Sequence, residues 1–148
     1  MIGRSKYIAS LGGVGYSRWA PGTMGSLGAV IFWPLWLLVP SFLHLGIWIT
    51  LFFMSLWVCF DSMHEEKDVD PSWIVIDEAL AVWLIPVFFA GRFSSAWIVA
   101  WLLFRLLDIT KPWPISWMER LTPAPCAVIM DDIAAVMFAL LLTRFWWC

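Results

Sequence analysis

Five apolar stretches divide this chain, and they restrict its fold more than any other feature. The whole sequence has 148 residues, of which 62% are hydrophobic, and its mean hydropathy is +0.84. A soluble domain of this length cannot bury such an excess of apolar side chains, so lipid is the expected solvent. The sequence therefore predicts an all-α, polytopic helical membrane protein that forms a single domain over residues 1–148. The stretches cover residues 27–42, 45–60, 73–90, 93–107 and 133–147.

Several of these stretches are shorter than the roughly 20 residues that span a full hydrocarbon core. Either their polar ends enter the headgroup layer, or one pair forms a re-entrant hairpin. The pair formed by residues 73–90 and 93–107 fits the hairpin best, because Pro86 interrupts the first of them. We therefore expect four to five membrane-embedded helices.

The distribution of charge predicts a single polar face. If each stretch crosses the membrane once, all the acidic side chains fall on one side, and so do seven of the nine Lys and Arg residues. The excess of basic residues predicts that this side is cytoplasmic. The net charge of −2 and the absence of a basic stripe argue against nucleic acid as a partner. The acidic residues are Asp61, Glu65, Glu66, Asp68, Asp70, Asp77, Glu78, Asp108, Glu119, Asp131 and Asp132.

Two pairs of adjacent carboxylates are embedded in apolar sequence. Asp77 and Glu78 interrupt the third stretch, and Asp131 and Asp132 precede the fifth. Adjacent carboxylates in such a setting repel each other and lose hydration, so a positive group should compensate them. A pair at a helix N-terminus that is stabilised by the helix dipole is the simpler interpretation of Asp77 and Glu78. With Asp108, however, the two pairs supply the hard oxygen ligands that Mg²⁺ accepts, which favours a metal site.

Arg105, Asp108 and Lys111 recur every three residues, which predicts that they share one helical face at the end of the fourth stretch. An Arg–Asp pair is often only a local ion pair. A Lys held beside a carboxylate is also a good partner for phosphate, and the spacing alone leaves both interpretations open.

A segment rich in glycine, residues 20–26, lies directly before the first stretch. We expect it to be non-helical, with Thr23 or Ser26 capping the helix that follows. Backbone N–H groups beside glycines and at helix N-termini attract anions, so Gly22, Thr23, Gly25 and Ser26 are candidate ligands of a phosphate group. The segment is not a Walker P-loop, because it has no Lys in the required place.

Together these motifs resemble the phosphatidylglycerophosphatase A family. The matching segments are residues 20–27, 70–78, 104–115 and 129–132, in the same order and spacing. The resemblance implies a multi-pass enzyme of the bacterial inner membrane whose active site faces the cytoplasm. It implies Mg²⁺-dependent hydrolysis of the lipid phosphatidylglycerophosphate to phosphatidylglycerol and phosphate.

The site follows from combining the resemblance with the residue chemistry. Asp77, Glu78, Asp131 and Asp132 are the expected metal ligands, and Asp108, Lys111 and Arg105 the expected catalytic residues. Two alternatives stay open, a phosphatidyltransferase-like enzyme that uses clustered Asp and a metal, and a small ion carrier. The oligomeric state is also open.

Overall fold

The computed structural model of the chain describes residues 4–64, 71–90, 92–113, 115, 117 and 126–147. Every regular element in this part of the chain is helical, which confirms the predicted all-α class. A 3₁₀ turn, Val14–Tyr16, lies between the first two of seven described α-helices. The helices are α1 (Arg4–Ala9), α2 (Pro21–Ile31), α3 (Trp33–Leu38), α4 (Ser41–His64), α5 (Ile76–Phe88), α6 (Ser95–Thr110) and α7 (Cys126–Trp147).

Two segments of the described chain are long and apolar enough to cross a bilayer. One is Pro21–Leu38, which contains α2 and α3, and the other is Ser41–Met63 in α4. In the most apolar 18-residue window of each, only 28% and 22% of the residues are buried within the protein, as expected for helices that face lipid. The count of four to five membrane-embedded helices stays a prediction.

The start of α2 differs from the expectation for the segment rich in glycine. The helix begins at Pro21, whose fixed φ suits the first helical position, so the predicted non-helical segment is wrong. Ala20 occupies the N-cap position without a side-chain cap, which also corrects the predicted capping by Thr23 or Ser26. The helix is interrupted at Phe32, just before Pro34, which lacks the N–H that a continuous helix would use.

One of the two acidic pairs lies at another helical position than the sequence suggested. Asp77 and Glu78 occupy the first turn of α5, where the helix dipole favours carboxylates. Asp131 and Asp132 do not open the last helix, because α7 begins earlier, at Cys126. Both pairs are thus held by regular backbone, and their side chains have defined directions.

The short helix α5 forms the centre of the fold. It packs against α2, α4 and α7, while α6 packs mainly against α7. Ala79 and Ala81 on α5 and Ala135 on α7 are fully buried, and their small side chains allow the helices to approach closely. This packing fixes the first turn of α5, which carries Asp77 and Glu78.

Gly15 in the 3₁₀ turn is predicted to be required for folding. A Cβ atom added there would overlap the backbone carbonyl of Trp73 and lie 3.2 Å from Val75 Cγ2. That backbone is fixed by a 3.0 Å hydrogen bond that Val75 N–H donates to the Ala9 carbonyl. We expect Gly15→Ala to lower the free energy of unfolding by about 1–3 kcal/mol. Denaturant unfolding in detergent measures this effect. Gly28→Ala is the control, because a Cβ atom added at Gly28 meets nothing within 4 Å. Equal stability of the two variants would contradict the prediction.

Candidate active site

A polar cavity of about 360 Å³ lies where α2 and α5 begin and α6 ends. The early part of α7 closes one side of it. Nine of the eleven predicted site residues line this cavity, although they come from four separate helices and the residue that follows α6. These nine are Gly22, Thr23, Asp77, Glu78, Arg105, Asp108, Lys111, Asp131 and Asp132.

Three carboxylate oxygens in this cavity have no hydrogen-bond partner among the described residues. One of them, Glu78 Oε2, still lies in an ion pair 3.2 Å from Arg105 Nη1. The other two are Asp77 Oδ1 and Asp132 Oδ2, and their residues are only 6% and 4% exposed. An unsatisfied buried carboxylate oxygen is costly, so these atoms are suited to a cation or to a ligand that donates hydrogen bonds.

Burial and mutual repulsion change how these carboxyl groups titrate. Asp77, Glu78 and Asp132 all lie outside the two segments that are long enough to cross a bilayer. Burial, followed by repulsion from neighbouring carboxylates, raises the pKa of Asp77 and of Asp132 well above the ordinary value. Burial is also the main reason why the pKa of Glu78 rises to about 7. The nearby Arg105 opposes this rise, and repulsion from Asp108 adds to it.

The guanidinium group of Arg105 joins three elements at the cavity. Its Nη1 lies 2.7 Å from Asp108 Oδ2 and 3.2 Å from Glu78 Oε2. Its Nη2 donates a 3.2 Å hydrogen bond to the hydroxyl of Thr23 on α2. The local Arg–Asp pair is therefore present, and the same cation also holds the first turns of α2 and α5 together.

Lys111 does not share the helical face of Arg105 and Asp108, which corrects that prediction. It is the C-cap residue of α6 and adopts a left-handed conformation with φ 39°, a geometry that costs roughly 1–2 kcal/mol for a residue other than glycine. Its ammonium group lies 2.7 Å from Asp131 Oδ2 on α7. The Lys111 side chain is 34% exposed, so this cation is more accessible than Arg105, whose side chain is 12% exposed.

The four residues predicted to bind phosphate separate into two pairs. Gly22 and Thr23 line the cavity in the first turn of α2, where N–H groups have no partner within the helix. Gly25 and Ser26 are buried and do not line it. Gly25 instead packs against Val75, the N-cap residue of α5, because an added Cβ atom would lie 2.6 Å from Val75 Cβ.

The cavity carries an excess of negative charge. Five carboxylates and two cationic side chains line it, so its formal charge is −3. Within the described ranges, no three acidic, His or Cys side chains are arranged to hold a metal ion as they stand. The free oxygens of Asp77 and Asp132 nevertheless fit the chemistry of a hard divalent cation.

Some features of the cavity were not found from the sequence. Ser72, Ala20 and Ile109 line it without having been predicted. Ser72 follows Pro71 in a turn and lies only five residues before Asp77 in the sequence. This short separation from Asp77 was the signal that could have identified it. Several acidic residues that were predicted on this face lie outside the described residues, namely Glu65, Glu66, Asp68, Asp70 and Glu119.

Comparison with known proteins gives a consistent match. The family model described as Phosphatidylglycerophosphatase A matches residues 7–147. Phosphatidylglycerophosphatase A of Escherichia coli strain K12 is 33% identical over 124 residues, which cover 83% of this chain and 72% of that protein. The protein of the same name from Haemophilus influenzae is 29% identical over 144 residues, which cover 90% of this chain and 85% of that protein.

A further relative has a different name. A protein of Bacteroides thetaiotaomicron, provisionally named a phosphatidylinositol-3-phosphatase, is 37% identical over 139 residues. The aligned region covers 88% of this chain and 85% of that protein. No solved structure matches the chain.

Proposed function

Because the chain belongs to the phosphatidylglycerophosphatase A family, we propose that it hydrolyses the terminal phosphomonoester of phosphatidylglycerophosphate. The products are phosphatidylglycerol and inorganic phosphate. The observation that carries this proposal is the polar cavity, in which two cations and two carboxylates with unsatisfied oxygens lie within reach of a single small ligand. The resemblance inferred from the motifs and the assignment as an enzyme agree with the relatives.

The location that we propose is the inner membrane of a bacterium, with the cavity open to the cytoplasm. The excess of Lys and Arg on the side of the cavity supports this orientation. The acyl chains of the substrate then stay in the bilayer while its headgroup enters the cavity.

Asp77, Glu78, Asp131 and Asp132 are proposed to hold Mg²⁺. Two of them have free oxygens, and the net negative charge of the cavity would otherwise repel a phosphate group. When bound, the ion would polarise a phosphoryl oxygen and lower the pKa of a coordinated water.

The two cations of the cavity are suited to the phosphate itself. Lys111 is the more exposed and would contact the incoming phosphate first, exchanging its bond with Asp131 for one with a phosphate oxygen. Arg105 lies deeper and would stabilise the charge that develops on the equatorial oxygens. Asp108 is placed beside Arg105 and would orient the attacking water. The oxygen of that water forms the new bond to phosphorus, the bond from phosphorus to the glycerol oxygen breaks, and that oxygen receives a proton.

A second lipid phosphate is a specific alternative substrate. One relative is named as a phosphatidylinositol-3-phosphatase, and this name suggests phosphatidylinositol 3-phosphate as a candidate substrate. The headgroup of that lipid also carries a phosphomonoester. Both substrates need the same charged cavity, and they differ only in the group that bears the phosphate.

The deciding experiment measures phosphate release by the purified protein in detergent micelles. The two lipids and phosphatidic acid are compared at equal concentration, each with Mg²⁺ and with a chelator. We expect the highest kcat/KM with phosphatidylglycerophosphate and a loss of activity with the chelator. A preference for phosphatidylinositol 3-phosphate would replace the proposed substrate. Transfer of the phosphatidyl group, or ion flux in proteoliposomes without phosphate release, would favour the other candidate functions.

A pH-dependent effect of Mg²⁺ on stability is also expected. Since folding raises the pKa of Glu78 from 4.5 to about 7, the folded state without a cation binds more protons and loses stability as the pH rises through this range. A bound divalent cation favours the ionised carboxylates and reverses the effect. Thermal unfolding at pH 5.5 and pH 8, with and without Mg²⁺, should show a larger rise in Tm at pH 8. An equal rise at both values would contradict this assignment.

A further inference from the structure

Two helices that meet at the cavity suggest how the rest of a lipid could be held. α2 begins at the cavity and α6 ends there, and the hydrogen bond between Arg105 and Thr23 joins them at this end. Seven residues further from the cavity on each helix, roughly 10 Å by helical rise, Val30 and Ile98 line one apolar pocket of about 350 Å³. A polar contact therefore joins the two helices at the cavity, and further along both helices line the same apolar pocket.

On each helix, one stripe of side chains connects these two sites. Thr23, Leu27 and Val30 follow the spacing i, i+4, i+7 on α2, which places them on one face. Ile98, Leu102 and Arg105 repeat the same spacing on α6. Each stripe thus begins at a polar residue of the cavity and ends at a residue of the apolar pocket.

The middle residue of each stripe is exposed. α2 packs mainly on α5 and the 3₁₀ turn, whereas α6 packs mainly on α7. Leu27 is 41% exposed and Leu102 is 55% exposed, although both are apolar. The apolar pocket together with the exposed Leu27 and Leu102 therefore forms a candidate groove, which a ligand from the lipid phase can reach from the side.

One lining residue of the apolar pocket, Trp33, is held in place by its neighbours. Trp33 and Trp97 pack edge to face with their ring centroids 5.4 Å apart. Both residues are buried, and Trp33 Nε1 donates a hydrogen bond to the Val82 carbonyl of α5. A wall fixed in this way keeps its shape without a ligand, as preformed ligand sites commonly do.

We propose that the groove between α2 and α6 binds an acyl chain of the lipid whose phosphate occupies the polar cavity. This inference rests on the proposed function and adds a binding site to it. A phospholipid joins a charged headgroup directly to apolar chains, and the groove joins a charged cavity directly to an apolar pocket. Two further apolar pockets share Phe32 and Trp83, and one of them is also lined by Gly28 and Ala29 of α2, but no residue of α6 lines either.

Filling the groove provides the first test. Ile98→Trp should obstruct the pocket. Ile49→Trp is its matched control, because Ile49 lies on α4 and is 42% exposed, close to the 47% of Ile98. The substrates are phosphatidylglycerophosphate with long acyl chains and the same headgroup phosphate without acyl chains. We expect Ile98→Trp to lower kcat/KM about tenfold or more for the lipid and to leave the headgroup substrate unchanged. The control should change neither.

Two other outcomes have distinct meanings. If the wild-type protein releases no phosphate from either substrate, the proposed function itself fails. If the wild-type protein is active but Ile98→Trp affects both substrates equally or neither of them, the acyl-chain site is wrong.

Photolabelling of the unmodified protein provides the second test, which does not depend on the folding of a variant. A phosphatidylglycerophosphate with a photoreactive group in its acyl chain is irradiated in micelles, and the labelled peptides are identified. Labelling concentrated on α2 and α6, and reduced by excess unlabelled lipid, supports the groove. Labelling centred on Phe32 and Trp83, or spread evenly over the apolar surface, would overturn it.

Discussion

Replacing Asp77 with Asn should lower kcat by about 10²–10³-fold, the size of effect expected when one preorganised electrostatic group of an active site is lost. The side chain is 6% exposed in the first turn of α5, and its Oδ1 has no hydrogen-bond partner in the described part of the chain. Asn has nearly the same shape but no charge, so it cannot balance a divalent cation. Phosphate release from phosphatidylglycerophosphate at several Mg²⁺ concentrations measures the effect.

The same substitution should have the opposite effect on stability. Without a divalent cation, Asp77 is buried beside Glu78 and repelled by it, which is why its pKa is raised. Removing this charge should therefore raise Tm in chelator and abolish the rise in Tm that Mg²⁺ causes. Loss of activity together with higher stability would separate a functional role from a folding defect.

Asp61→Asn is the control for this experiment. Asp61 lies on α4, is exposed, and bonds with the hydroxyl of Ser5 rather than lining the cavity. Its variant should keep the activity and the Mg²⁺ response of the wild-type protein. Full Mg²⁺-dependent turnover by Asp77→Asn would remove Asp77 from the proposed site.

A single methyl group at Gly22 should reduce activity at least tenfold without unfolding the protein. A Cβ atom added at Gly22 would overlap the carboxylate of Glu78. Because that carboxylate is the end of a flexible side chain, it can move, but moving it breaks the 3.2 Å ion pair with Arg105. The expected loss is the size that a small misplacement of a catalytic group produces, up to about 10²-fold.

Gly28→Ala is a closely matched control because it lies on the same helix. A Cβ atom added at Gly28 meets nothing within 4 Å, so this variant should keep its activity and gain up to about 1 kcal/mol of stability from helix propensity. Kinetics with phosphatidylglycerophosphate and thermal unfolding are measured for both variants. Equal activity of the two would show that the position of Glu78 beside Gly22 has no importance for turnover.

Much of the candidate site could be predicted because charge inside apolar sequence is informative. Asp77, Glu78, Asp131 and Asp132 interrupt apolar stretches, and such residues need a common reason to be there. Alternating helices were expected to bring these distant carboxylates to one end of the bundle. The cavity does bring Asp77 and Glu78 of α5 together with Asp131 and Asp132 of α7.

Helix boundaries and pairings could not be predicted in the same way. The Pro and Gly residues of residues 20–26 favour a loop by propensity alone, but packing of Gly25 against Val75 makes the helical conformation the stable one. The spacing of Lys111 suggested a place beside Asp108. The end of α6 and the left-handed backbone of Lys111 direct its ammonium group to Asp131 instead.

The amino-acid sequence by itself determined the all-α class, the family and the set of charged residues, because hydropathy and residue chemistry are properties of single positions and their spacing. Only the tertiary structure decided that Arg105 joins Thr23 to Glu78, that Asp77 and Asp132 keep free oxygens, and that Val30 and Ile98 line one apolar pocket. These features depend on which helices touch. Contacts between residues far apart in the chain are set by the packing of whole surfaces, which no local pattern records.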